Sequence, residues 1–340
     1  MKHISSSVPE ARSPQSEVNL WRQPGQWWQA FWQFSRPHTI VGTTLSVLAL
    51  AVLTVAQHQP TGGAIAVAPL APMVLLALLA CLCGNVYIVG LNQVEDVAID
   101  RINKPHLPIA SGAFSLAQAQ AIVGLTGGGA LLVAASQGGY LLAMVALSLA
   151  IGTAYSVPPL RLKRFPLLAS LCIFTVRGAV VNLGLFLHFN ATVLRRAALE
   201  SSALAPWPIP ATVWVLTGFI VVFTFAIAIF KDIPDAEGDR QYDIATFTLR
   251  LGQRNVFNLA RWVLTICYGG MAIAGFGLAL PLNAVALAGT HLGLLALFWG
   301  RSFTVDLEDK QSISNFYQFI WKLFFSEYLL FPLLCVWHSV

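Results

Sequence analysis

The feature that most constrains this chain is a series of apolar runs of about 20 residues each, parted by short polar or Gly/Pro breaks. Wound as a helix, such a run spans the roughly 30 Å hydrocarbon core of a bilayer. The runs lack the period-2 alternation of a transmembrane barrel, so the chain reads as an all-α integral membrane protein. Its composition agrees: 56% of residues are hydrophobic and only 10% are charged, which excludes an ordinary soluble domain.

Spans are expected at roughly 39–57, 66–94, 116–136, 138–156, 166–188, 210–231, 255–280, 282–300 and 317–337, about nine in all. The breaks "SQGGY" and "LPLN" are short, and if either fails to part its neighbours the count falls to eight. Ahead of the first span, residues 1–25 read as a polar, disordered tail with no basic stretch leading into an apolar segment, hence no cleavable signal peptide. Residues 26–36 follow as an interfacial helix: in "WWQAFWQF", Trp27, Phe31 and Phe34 fall at i, i+4 and i+7, a face suited to the membrane interface.

Positive charge is strongly one-sided. Of the 20 Lys and Arg, only Arg195 and Arg196 fall on the side reached after odd-numbered spans, and Arg177 lies inside span five. The rest sit in the tail, in the loops after even-numbered spans or at the adjoining span ends, which places those loops and the N-terminus in the cytoplasm. The net charge of +5 expresses this sidedness and carries no nucleic-acid signature. Five cysteines on or near spans do not read as a disulfide framework, and Cys81 and Cys83 lack further ligands at metal spacing. Asn190 begins an "NAT" sequon, a triplet too frequent by chance to carry weight.

Two acidic stretches break the apolar pattern. In "NQVEDVAIDRINKP", Asn85, Asn92, Asp96 and Asp100 share an arc of roughly 80° if one helix runs through them. At the end of span six, in "KDIPDAEGDRQYD", Asp232, Asp235 and Asp239 share roughly 60°, with Glu237 pointing away. Carboxylates at a helix C-terminus oppose the macrodipole and repel one another at i, i+4, so a cation is expected to compensate them. The plainer alternative is that both are solvated loops. Oxygen-only ligands without His or Cys suit Mg²⁺, which binds through one or two carboxylates plus phosphate oxygens. Basic residues flank both stretches: Arg101 and Lys104, Lys231 and Arg240, and Arg161, Lys163 and Arg164 in "YSVPPLRLKRFP", which begins at Tyr155. All three segments emerge on one side and fit one polyanion such as a diphosphate.

"NQVEDVAID" and "DIPDAEGD", one in each half of the chain with the Tyr155–Lys163 loop between them, resemble the two motifs of the UbiA superfamily of intramembrane prenyltransferases, an Asn-rich NxxxDxxxD and a DxxxD. The resemblance covers residues 26–340 as one transmembrane domain. Within the superfamily, "FSRPHTIVGTTLSV", "RGAVVNLGLFLHF" and "FYQFIWKLFF" look like the homogentisate phytyltransferases of tocopherol-making organisms, the cyanobacterial type especially. Chlorophyll synthases typically begin the first motif with Asn-Asp, where this chain has Asn92 and Gln93.

The resemblance implies Mg²⁺-dependent transfer of a phytyl or other prenyl group from its diphosphate to homogentisate, with decarboxylation, in the plasma or thylakoid membrane of a cyanobacterium-like cell. It implies two Mg²⁺ ions held by Asn92, Asp96 and Asp100 on one side and Asp232, Asp235 and Asp239 on the other, with Tyr155 joining the acidic residues in catalysis. The diphosphate falls to Lys104, Arg161, Lys163, Arg101 and Lys231. Homogentisate is a carboxylate, and Arg177, about 12 residues into span five or roughly 18 Å by helical rise, is the candidate anchor. The alternative for Arg177 is a structural contact to Glu327. Asn182 and His38 are further acceptor candidates, against readings as an interhelical hydrogen bond and a helix-start residue. Competing functions are a sister enzyme with a solanesyl or geranylgeranyl donor or another ring, and, from another class, a cation-coupled transporter, whose sites usually lie near mid-membrane.

Overall fold

The computed structural model describes residues 17–58, 70–200, 209–242, 244–278 and 280–339, without the side chains of 195–200, 338 and 339. Of the tail expected to be disordered, residues 1–16 lie outside the described residues, as do the expected start of span two at 66–69 and the side chains of Arg195 and Arg196. The rest of the tail is ordered, a correction, because Val18 is buried with its N–H donating to the Ala113 carbonyl at 2.9 Å and a helix begins at Pro24.

Among the described residues, nine helices are long and apolar enough to cross a membrane, and the count of eight is set aside. They are α2 (Pro37–His58), α3 (Ala71–Glu95), α5 (Leu116–Gln137), α6 (Gly139–Ser156), α7 (Pro166–Phe174) running through a π-helical turn (Thr175–Val180) into α8 (Val181–Glu200), α9 (Ala211–Phe230), α11 (Gln253–Gly277), α12 (Ala284–Ser302) and α13 (Lys310–Ser339). Two short helices, α4 (Val97–Asn103) and α10 (Ala236–Gln241), follow α3 and α9 on one side of the bundle.

The close break at "SQGGY" works because Gly138 ends one helix and caps the next at φ 116°, a conformation open to glycine at little cost. Ser115 and Gln118 form a reciprocal capping box at the start of α5, and Asn283 accepts from the Ala286 N–H at 3.0 Å to start α12 after "LPLN". Large apolar side chains such as Leu125, Leu132, Ile266, Ile273 and Phe276 face outward, as helices solvated by lipid require.

The interfacial helix forms as α1 (Pro24–Phe34), with Pro24 pre-set for its first turn. Its orientation corrects the sequence expectation. The Trp27, Phe31 and Phe34 face packs inward, with Trp27 stacked on Phe31 at 5.3 Å and Phe34 fully buried 5.8 Å from Phe114. Trp28 and Trp32 are the exposed pair. A helix with aromatics on both sides buries the side that finds apolar partners and leaves the other for the interface.

Polar groups inside the bundle are paired across helices. Tyr87 and Thr153 join α3 to α6 at 2.8 Å, and the Tyr328 hydroxyl donates to Asn182 Oδ1 at 2.9 Å, joining α13 to α8. Asn190 is buried and 2.7 Å from His58, which leaves its sequon unsuited to a glycan. His291 on α12 meets Glu327 on α13 at 3.0 Å, both side chains fully buried. The other ring nitrogen, Nδ1, lies 2.8 Å from the Leu287 carbonyl and must donate to it, so the Nε2–Glu327 contact shares a single proton. Glu327→Leu leaves buried Nε2 without its partner, and we expect a loss of about 3 kcal/mol of stability. A thermal melt in detergent superimposable on the wild type would remove this pair from the interactions that hold α12 to α13.

Candidate active site

One end of the bundle holds a cavity of about 1070 Å³ that runs inward from α4, α10 and the loop after α6. Its mouth is built from the two acidic stretches, but neither is the continuous helical stripe expected. α3 ends at Glu95; Asp96 sits at the junction with φ −114° and ψ 18°, and α4 starts afresh at Val97. α9 ends at Phe230, residues 231–235 turn, and Asp235 caps α10. The reason is Pro234 in one stretch and, in both, acidic residues that gain more from facing cations across the mouth than from an unfavourable run along a helix end.

Those cations come from the predicted loops. Asp96 accepts from Lys163 Nζ at 2.6 Å, Arg161 at 3.1 Å and Asn92 Nδ2 at 2.9 Å. Lys104, from the first stretch, forms an ion pair with Asp235 of the second. Lys231 pairs with its neighbour Asp232 at 2.7 Å and also contacts Tyr155, which lines the cavity from α6. The two short helices are locked together where the Gly238 N–H donates to Asn103 Oδ1 at 2.9 Å. A Cβ on Gly238 would fall 2.6 Å from the Asn103 amide, so only glycine permits this approach.

Two residues here were missed by sequence reasoning. Asn103 is buried and lines the cavity, yet its partner is 135 positions away and no local pattern names it. Arg36 also lines the mouth and acts electrostatically on Asp100 and Asp235. Its signal was present in "SRPHT", an arginine fixed just ahead of the proline that opens α2. Arg36 (φ 53°) and Arg161 (φ 35°) are the two non-glycine residues with positive φ among the described residues, and both point charge at this mouth. Such backbone is costly for L-residues and persists where the surroundings over-determine it, often at functional sites.

Other expected residues are not brought in. Arg101 is exposed and does not line the cavity, because Asp100 and Asn103 occupy the inward face of α4 and Arg101 is turned away from it. Arg164 and Arg240 are likewise exposed, while Glu237 points outward as expected.

The electrostatics show acid in excess of local cations. Burial, aided by Asp235 and Asp232, pushes the Asp239 carboxyl up to about 7, and burial, opposed by Lys104 and Arg36, pushes Asp100 up to about 6. Asp100 Oδ2 is buried with no hydrogen-bond partner. Burial also acts on Asp235, yet Lys104 beside it holds its carboxyl below the usual carboxylate range. Lys231 is desolvated too, but Asp232 keeps it charged, well above the usual lysine range. An orphaned carboxylate oxygen and three carboxyls raised by burial, Asp100, Asp239 and Asp232, are what a hard cation would relieve, and the oxygen-only donor set fits Mg²⁺. Among the described residues no three acidic, thiol or imidazole groups already converge on one point. The arrangement therefore suits ions that share their coordination with a phosphate ligand.

Deeper in, Arg177 reaches the cavity from the π-helical turn, a local widening of the helix frequent at functional sites. Its guanidinium carbon lies 5.2 Å from the Trp321 ring and 5.8 Å from Phe324, with no carboxylate at ion-pair distance among the described residues. The suggested contact to Glu327 is not made, because Glu327 is taken by His291. His38 stands 4.7 Å from the Trp321 ring and also lines the cavity. Asn182 is corrected: it is fully buried, donates to the Gly178 carbonyl at 2.8 Å and accepts from Tyr328, so it braces the π turn and does not line the cavity.

A family model described as the UbiA prenyltransferase family matches residues 45–323. A homogentisate phytyltransferase of Synechocystis sp. is 57% identical over 305 residues, 90% of this chain and 95% of that protein. A homogentisate solanesyltransferase of Arabidopsis thaliana is 39% identical, covering 90% of this chain and 76% of that protein. The solved structure of a UbiA homolog from Archaeoglobus fulgidus bound to GPP and Mg²⁺ superposes with TM-score 0.57 at 14% identity, over 89% of this chain and 99% of that one, and shares the fold.

A metal at Asp100 or Asp239 must displace a proton, so binding is complete above the raised values near 7 and 6 and weakens as pH falls through them. In the presence of inorganic diphosphate, the Mg²⁺ concentration for half-maximal thermal stabilisation is expected to rise about tenfold or more from pH 8 to pH 6. A constant value across that window would take both carboxylates out of the metal site.

Proposed function

Because the chain belongs to the UbiA prenyltransferase family, we propose that it transfers a phytyl group from phytyl diphosphate to homogentisate with loss of CO₂, yielding 2-methyl-6-phytyl-1,4-benzoquinol, the tocopherol precursor. The observation that carries this reading is the 57% identity to a homogentisate phytyltransferase along nearly the whole of both chains. Two features of the site support it independently: a mouth of carboxylates and cations suited to a metal-bound diphosphate, and, deeper in, Arg177 with no carboxylate at ion-pair distance among the described residues, suited to an acceptor carboxylate.

Asn92, Asp96 and Asp100 on one side and Asp235 and Asp239, with Asp232 beside them, on the other would hold two Mg²⁺ ions. Bound there, Mg²⁺ supplies the positive charge that makes the diphosphate a better leaving group. Lys163, Arg161, Lys104 and Lys231 now lie on Asp96, Asp235 and Asp232. Turned to the diphosphate, their N–H donors offset the negative charge that develops as the carbon–oxygen bond breaks. Arg36 adds a further cation from the start of α2, and Tyr155, through its contact to Lys231, positions that lysine.

The allylic cation left behind faces Tyr317 and Trp321, whose ring faces stabilise positive charge, in a cavity whose lining is mostly withdrawn from water. Arg177, with His38 also beside the Trp321 ring, would hold the homogentisate carboxylate and so set which ring carbon meets the cation. Prenylation releases one ring proton, and loss of CO₂ leaves the side-chain carbon one proton short of a methyl group, so the two halves of the reaction balance. The excess of Lys and Arg on this side supports a site at the cytoplasmic face. The second reading, a solanesyl donor on the same acceptor, is favoured by the 39% identity to the solanesyltransferase.

Incubating the purified protein with Mg²⁺, labelled homogentisate and phytyl, geranylgeranyl or solanesyl diphosphate, with the product identified by mass, tests the proposal; absence of any homogentisate-derived product defeats it. Asp96→Asn and Asp235→Asn should each lower kcat by about 10²-fold or more while leaving the protein inserted. Near-wild-type turnover in either would remove it from the metal site. Arg177→Ala should raise the KM for homogentisate by about tenfold or more with little change in the KM for the diphosphate. The opposite pattern would move Arg177 to the donor.

A further inference from the structure

The relatives of this chain are named for tails of very different length, and the cavity contains a feature that discriminates between them. From Asp96 to Cys81 it follows one face of α3 for roughly 22 Å by helical rise. On α6 the lining residues Met144, Ser148, Ile151 and Tyr155 fall at i, i+4, i+7 and i+11, a single face running roughly 16 Å toward the same inner end. At the inner end five helices close in, through Ser46, Cys81, Met144, Val181 and Tyr328. One turn further along the same helices stand Leu50, Ala77, Leu141, Leu185 and Phe331, every one 0% exposed and part of the continuous apolar core. The cavity therefore has a floor and does not continue through the bundle in that direction.

Met144 is the side chain at this floor with room to be removed. It rests on Gly184 of α8, where a Cβ would lie 2.5 Å from Met144 Cγ, so the absence of a side chain at 184 is what lets Met144 lie flat between α6 and α8. Its long unbranched thioether fills the end of the cavity where a truncated residue would leave a further pocket.

We propose that Met144, seated on Gly184, limits the prenyl tail accepted by this site to about four isoprene units. The proposal rests on the reaction above for the position of the diphosphate at the Asp96 and Asp235 mouth. A C20 tail has sixteen carbons in its main chain and extends to about 20 Å, which matches the depth below the diphosphate with modest bending. A C45 tail extends to about 45 Å, longer than the roughly 30 Å hydrocarbon core itself and about twice the depth from the mouth to this floor.

The test uses the full-length protein in proteoliposomes with Mg²⁺, homogentisate and all-trans prenyl diphosphates of C10, C15, C20, C25, C30 and C45. The readouts are product formation and, without acceptor, thermal stabilisation by each diphosphate. Wild-type kcat/KM should peak at C20 and fall about tenfold or more by C25. Met144→Ala should raise the C25-to-C20 ratio about tenfold or more by opening the floor, and Ser46→Leu should raise the C15-to-C20 ratio similarly by lifting it. Equal use of C20, C30 and C45 by the wild type overturns the proposal, as does an unchanged ratio in Met144→Ala. If Met144→Ala does not fold, an unchanged ratio in Ser46→Leu overturns it alone. Loss of product with every tail, with length-dependent stabilisation retained, would instead defeat the choice of acceptor and leave the floor standing.

Discussion

The structure at the mouth depends on Asp96. It is the residue at which α3 stops, and its carboxylate gathers Lys163 and Arg161 from the loop after α6 and Asn92 from the turn before it. A carboxylate mostly withdrawn from water at the negative end of a helix is unfavourable alone, and two cations at hydrogen-bond distance compensate it. The α6–α7 loop is thereby drawn over the bundle end, with Arg161 forced to a positive φ to reach. Lys104 does the same between α4 and Asp235, and Asn103 ties α4 to the Gly238 backbone. Three segments far apart in sequence become one rim through charge pairing, where apolar packing alone would leave them as independent loops.

Most of the fold was legible from the sequence because bilayer physics is severe: length, apolarity and the Gly and Pro breaks suffice to draw nine spans, and the described helices follow them to within a few residues, except at the start of α13 and at the end of span five, where α8 continues beyond residue 188. The membership of the rim was also largely legible, since Asp, Lys and Arg inside such a chain are rare enough to stand out. What escaped was geometry set by distant partners. The helical stripes through Asp100 and Asp239 assumed that α3 and α9 continue, whereas both helices break where acids find cations across the mouth. Arg101 was included by proximity alone, and a residue's neighbour in sequence is turned about 100° from it on a helix. Asn103 and the brace formed by Asn182 on the π turn were invisible because their partners, Gly238 and Tyr328, lie far along the chain. Arg36 was visible but was read as part of a tail.

Polarity falls along the cavity in a definite order, and the order matches what each depth would hold under the proposed function. The rim carries acids and their paired cations. Next comes Arg177 with His38 and Trp321, one cation held by ring faces and a widened helix turn instead of by a carboxylate. Beyond lie Cys81, Val145, Met144 and the packed core. A guanidinium without an acidic partner at this depth is costly, and Glu327, the one acid nearby in sequence pattern, is held apart by His291. The His291–Glu327 pair thus does more than join α12 to α13: by occupying the carboxylate, it leaves the Arg177 guanidinium open toward the cavity.

The same logic bears on how the rim would accept the ligand proposed for it. Each lysine or arginine on Asp96, Asp232 and Asp235 occupies a carboxylate that a divalent cation would otherwise take, so the protein keeps its charges satisfied in either condition. Among the rim aspartates, Asp100 and Asp239 lack such a partner, and burial raises both carboxyls. A metal-bound diphosphate brings both signs at once, cations for the acids and oxygens for the displaced lysines and arginines. Neither half alone would do: a bare divalent ion would have to expel Lys163 and Lys104 with nowhere for them to go, and a bare diphosphate would meet acids already in excess. Under the proposed function, the pairing within the rim would therefore favour the complex over its components, through the ion pairs that close three loops into the site.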